Sequence, residues 1–265
     1  MTDLQPEPSA PSARGNRRGG HSWLERGATY RWGWAQVGWA IAALAVGLGA
    51  LWFLSASASS AVGLFVANVA FWLVLLAAVF AAYRITVPRR LFDFRASDVV
   101  VGLALALVLR FFVDGLAWQA NGFMPWPTFA NSAGELPSLW WLNGVVAAGL
   151  IAPIVEELFF RGFLLVALYT VFCRLTSSPA AAAVAAAIIN SGLFMLTHQV
   201  AGDFSLSMVG AVSTIAVGLT AAVVVLVTGR FWGALVMHVA FNSIWVLLAL
   251  VGTIAGGAGA GATLS

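Results

Sequence analysis

The chain has 265 residues, 61% of them hydrophobic and 9% charged, with a mean hydropathy of +0.94. That composition excludes an ordinary soluble domain, and the net charge of +3, all of it from arginine, calls for no nucleic-acid partner. Cys173 is the only cysteine, which excludes an internal disulfide and reads as a small buried hydrophobe.

Residues 1–33, rich in Pro, Ser, Gly and Arg and without apolar periodicity, are expected to form a disordered, basic cytoplasmic tail that holds Arg17, Arg18 and His21. Apolar runs follow, long enough at about 20 residues per crossing to span a bilayer. They place spans near 34–54, 61–83, 97–113, 139–172, 179–198, 206–228 and 231–251. The fourth is too long for one straight crossing and contains Pro153 and Gly162, so it kinks, projects beyond the hydrocarbon, or divides to make eight spans. The expected fold is all-α, a polytopic transmembrane helix bundle. Its N-terminal spans cover 34–138, a second membrane unit covers 139–251, and a flexible glycine-rich end covers 252–265.

Arginine placement orients the bundle, because cytoplasmic loops hold the positive charge. With the tail inside, Arg84, Arg89, Arg90, Arg95, Arg174 and Arg230 all fall inside, and the external loops hold Asp114, Glu135 and Asp203. The expectation is a multi-pass protein of the cell membrane with a cytoplasmic N terminus.

Charges within spans each cost about 2.5–3.5 kcal/mol at the bilayer centre on insertion scales, so they point to compensation or function. Arg110 and Asp114, four apart near the outer end of span three, can pair and snorkel. In "EELFFR", Glu157 and Arg161 share a helical face and can neutralise each other. Glu156 points about 100° away and has no local partner. His198 lies on one face with Asn190 and Phe194, and His238 lies one turn from Asn242.

Taken singly, each histidine reads as a helix-packing residue. Together, an unpaired Glu, two His and an Asn on three spans suit hydrolysis. A glutamate withdrawn from bulk water makes a general base, a neighbouring histidine helps it hold and deprotonate water, and His with Asn can stabilise an oxyanion. No H-E-x-x-H, G-x-S-x-G or phosphate-binding loop competes with this reading.

"EELFFR" at 156–161, "FMLTH" at 194–198 and "HVAFN" at 238–242 resemble the ordered motifs E-E-x-x-x-R, F-x-x-x-H and H-x-x-x-N of the CAAX-protease and bacteriocin-processing (CPBP, or Abi) family of intramembrane proteases. The resemblance covers about 139–250 and implies an intramembrane endopeptidase acting on a membrane peptide or protein. By position, Glu156 with His198 would activate water, His238 with Asn242 would stabilise the oxyanion, and Glu157 with Arg161 and Phe194 would support the site. The lysine-free, alanine-rich composition looks bacterial, for which a prenylated substrate is not expected. The family is often labelled metalloprotease. Glu156, His198 and His238 could give zinc three ligands and an open fourth position, while a metal-free glutamate mechanism suits the same residues.

Two other readings use the same residues: a proton-coupled transporter, since intramembrane Glu and His also relay protons, and a non-catalytic scaffold or immunity protein. Depth poses a further problem for the site. His238 lies near the cytoplasmic end of its span and His198 near the external end of its own, so straight, fully crossing helices would keep them apart. Either span five begins well inside the cytoplasm, or the segment after His198 is re-entrant.

Overall fold

A computed structural model describes residues 22–25, 29, 31–122, 126–131, 133–202 and 207–262. Most of the expected tail, with Arg17, Arg18 and His21, and the loop acid Asp203 lie outside the described residues. The described residues form an all-α bundle without strands, and seven helices are long and apolar enough to cross a membrane. In chain order they are α1 (Trp34–Ala56), α2 (Ala61–Ile85), α3 (Ala96–Asn121), α4 (Trp141–Leu175), α5 (Pro179–Ala201), α6 (Met208–Thr228) and α7 (Trp232–Ala262).

Local chemistry sets several of these boundaries. Ser60, Ser178 and Ser207 each accept a hydrogen bond from a backbone N–H three residues on, the cap that satisfies an orphan donor at a helix start. Gly122 and Gly229, at φ 73° and 69°, end α3 and α6 in the left-handed region. Two helices outrun the expected spans. α3 continues past Asp114 because Arg110 Nε donates to the Asp114 carboxylate at 2.9 Å and neutralises it, so the pair sits within the helix and not near its outer end. α7 continues past residue 251, where the 126–131 loop docks on it and Phe129 N–H donates to Thr253 Oγ1 at 2.9 Å.

α4 is the central element. Of its most apolar window 78% is buried, against 22–39% for the other six helices, whose outer faces carry the exposed Leu, Val, Ile and Phe that suit lipid contact. It is one long helix with two widened stretches, Trp141–Ile151 and Leu158–Leu164, in which bonds reach five residues back, as from Leu165 N–H to Phe160 O. Such widened turns recur at functional sites. Here they bracket Ala152–Glu157. Gly162 lets α2 come close: an added Cβ would lie 2.8 Å from the Tyr83 hydroxyl, which donates to Gly162 O.

The ends carrying Arg89, Arg95, Arg174 and Arg230 meet at one end of the bundle. Arg230 Nε donates to both Asp98 oxygens at 3.0 Å, and Trp232 Nε1 donates to Phe92 O. The described part of the N-terminal segment packs into this end. Trp23 and Trp32 are fully buried, and the Trp23 indole donates to Gly229 O. That contact accounts for about half of the depth difference. Tyr169 of α4 meets Trp23 edge to face and donates to Leu24 O, so the α6–α7 turn lies near the level of Tyr169. Tyr169 is six residues short of the end of α4, or about 9 Å. α7 therefore starts deep, and the α4–α5 connection projects beyond it. An early histidine of α7 can then meet a late one of α5.

Candidate active site

The helical offset between Glu156 and Glu157 divides their surroundings. Glu157 is fully buried and receives two partners, Arg161 Nη1 at 3.0 Å and His238 Nδ1 at 2.9 Å. Arg161, also fully buried, donates through Nη2 to Gly218 O on α6 at 3.0 Å and lies 4.5 Å over the Phe194 ring. Removing either member of such a buried pair leaves a charge uncompensated. This group ties α4 to α5, α6 and α7 and fixes the His238 ring.

Glu156 faces the other way. Its Oε2 lies 3.9 Å from His198 Nε2 and 3.9 Å from His238 Nε2, and its side chain is 13% exposed against 33% for His198. The partners of the other ring nitrogens assign the tautomers: His198 Nδ1 donates to Phe194 O at 2.9 Å and His238 Nδ1 donates to the Glu157 carboxylate. Both Nε2 atoms thus turn toward one carboxylate oxygen. With neutral rings three acceptors converge, and a water donating to two of them at about 2.8 Å each spans such gaps. With a protonated ring, Nε2–H becomes a donor toward the same space. Phe194 holds the arrangement, its ring 4.4 Å from that of His198 and 5.7 Å from that of His238.

The structure therefore brings together Glu156, Glu157, Arg161, Phe194, His198 and His238. The Asn242 amide makes its hydrogen bond elsewhere, to Ala148 O. Pro153 explains why. Ala152 N–H bonds Ala147 O, and Pro153 has no N–H, so neither donor reaches Ala148 O. Asn242 Nδ2 donates to that carbonyl at 2.9 Å. The Asn242 side chain lines a second cavity of about 340 Å³ with Arg110, Ser213, Phe241 and Trp245, which shares Ala148 with the one at Glu156.

Glu156 and His198 open on another cavity of about 340 Å³, walled by Leu51 of α1, Asn68, Phe71 and Trp72 of α2, Asn143, Ala147, Ala148 and Ala152 of α4, and Thr197 and Ala201 of α5. Asn68 and Asn143 escaped the sequence analysis, although each is a lone amide in an apolar run. Gly218 contributes a backbone carbonyl, which leaves no side-chain signal.

Zinc does not fit the trio as arranged. Donors about 2.0–2.1 Å from a tetrahedral zinc lie roughly 3.3 Å from one another, whereas Glu156 Oε2 stands 3.9 Å from each imidazole nitrogen. Among the described residues no set of three His, Cys, Asp or Glu side chains is disposed to hold a metal ion.

A family model described as Rce1-like, type II CAAX prenyl endopeptidase Rce1-like, matches residues 138–244. No curated protein and no solved structure matches the chain. The matched segment contains Glu156, Glu157, Arg161, Phe194, His198, His238 and Asn242 and excludes α1–α3. That segment is similar to the Rce1-like family, described as type II CAAX prenyl endopeptidases, and the chain that carries it is a multi-pass membrane protein.

Proposed function

We propose that the chain hydrolyses a peptide bond of a membrane-embedded peptide or protein, with Glu156 as general base. The observation that carries the reading is the approach of His198 Nε2 and His238 Nε2 to one Glu156 oxygen, 3.9 Å each, beside a cavity large enough for a peptide segment. Glu156 and His198 hold a water between them. Glu156 takes its proton as the water oxygen attacks the peptide carbonyl, and later passes that proton to the departing amine, so water adds across the cleaved C–N bond. His238, with Nδ1–H fixed on Glu157, presents a protonated Nε2–H to the oxyanion, a donor worth about 3–4 kcal/mol in the transition state. Glu157, Arg161 and Phe194 set the ring positions, and Asn242 positions α7 through Ala148 O.

No step needs a metal ion. The arginine-bearing end faces the cytoplasm of a cell membrane in this reading, as the positive-inside rule asks. The prenyl group in the family's description belongs to that description, and the peptide is the substrate class proposed for this chain.

The test is cleavage of a membrane peptide in proteoliposomes by the wild type and Glu156→Gln. Loss of cleavage without loss of melting temperature supports the reading, and wild-type cleavage by the variant overturns it. Joint loss of stability and activity favours the scaffold. Flux that depends on pH and is indifferent to peptide favours the transporter.

A further inference from the structure

The cavity at Glu156 is elongated along α4: Asn143, Ala147, Ala148, Ala152 and Glu156 all line it, with the carboxylate at one end and an amide at the other. From Asn143 to Glu156 the axis covers at most about 20 Å at 1.5 Å per residue, a span that an extended chain crosses in about six residues. Alanines between the two ends let a backbone approach closely. Asn143 meets Ala61 at the start of α2, and Asn68 lies seven residues further along α2, about 10 Å nearer Glu156 on the facing wall.

Both asparagines are half-tied. Asn68 Nδ2 donates to Leu64 O at 2.9 Å and Asn143 Nδ2 donates to Ala61 O at 3.3 Å, and these carbonyl partners fix which amide atom is nitrogen. Neither side chain makes another hydrogen bond among the described residues, so each keeps a free amide oxygen and a free N–H. A peptide group offers the same pair.

Resting on the endopeptidase reading, we propose that Asn68 and Asn143 form a backbone-binding subsite for an extended substrate segment, about three and about six residues from the bond that Glu156 attacks. A transmembrane helix must unwind locally to be cut. Its freed N–H and C=O groups then find few partners in an apolar cavity, where each unsatisfied group is costly. The two carboxamides supply acceptors and donors at the middle and the far end of the groove. A bare acyl chain would leave them unsatisfied, which favours a peptide as the occupant.

The experiment measures binding of a fluorescein-labelled 12-residue Leu/Ala/Phe peptide to the full chain carrying Glu156→Gln, in lipid nanodiscs. Adding Asn68→Leu or Asn143→Leu should weaken binding about tenfold each. Backbone N-methylation of the peptide at successive positions should find one or two sites, about two to seven residues from the position cut by the wild type, where binding falls by a similar factor in the parent and hardly at all in the Leu variants. Binding insensitive to N-methylation in the parent overturns the proposal, even if a Leu variant fails to fold. So does equal sensitivity in parent and variants, or no binding. Cleavage by the wild type is scored separately: a peptide that binds as described but is never cut contradicts the endopeptidase reading and leaves the subsite standing. Without a cut, the N-methyl scan alone locates the contacts.

Discussion

Glu156 and Glu157 are adjacent in sequence and share almost nothing in space. Glu157 is sealed from solvent: Arg161 and His238 both reach its Oε1, neither glutamate nor arginine is exposed, and Gly218 O accepts a guanidinium hydrogen bond. Around Glu156 two imidazoles stop 3.9 Å away and a cavity begins. The comparison shows how an apolar helix tolerates two carboxylates. One is neutralised by an ion pair that packs four helices, and the other stays open to what enters the groove. His238 belongs to both regions, one ring nitrogen on each side.

Breaking the closed side should have the largest effect. Glu157→Ala or Arg161→Ala leaves a buried partner uncompensated and should destabilise the protein by about 3–5 kcal/mol, read as a large fall in melting temperature and in recovery from detergent. A variant of normal stability would show that the pair does not hold the helices. On the open side, His198→Ala should lower kcat by about 10²–10⁴, the range of a lost acid–base partner, with melting unchanged. A parallel loss of stability would move His198 to the closed region.

A smaller effect separates Asn242 from the site. Asn242→Ala orphans Ala148 O and should cost about 1–2 kcal/mol of stability, with kcat lowered less than about tenfold. Pro153→Ala supplies an N–H beside that carbonyl and should restore part of the loss. A fall of more than a hundredfold in kcat at unchanged stability would instead make Asn242 an oxyanion donor. The smallest effect concerns metal: a chelator should leave cleavage unchanged, and inactivation reversed by zinc alone would contradict the glutamate mechanism.

Much of this was legible in the sequence because bilayer physics is restrictive. Apolar runs of the right length can only be helices, so all seven spans were located from hydropathy. The four-residue spacing of Glu157 and Arg161 foretold their pairing. The motifs implied that His198 and His238 share a site, but hydropathy did not show how they reach one depth, because that depends on how deeply the α6–α7 turn is seated under Trp23. The end of α3 was misplaced because Asp114 looks like a stop until Arg110 neutralises it. The partner of Asn242 depends on a carbonyl released by a proline and a widened helical turn, and residue spacing records neither.

The account is tested most directly by cleavage and melting curves on Glu156→Gln and Glu157→Gln from one preparation. It predicts that Glu156→Gln melts like the wild type and cleaves at least about a hundredfold more slowly, while Glu157→Gln melts at a clearly lower temperature. The reverse pattern, with Glu156→Gln unstable and Glu157→Gln stable but inactive, would contradict it.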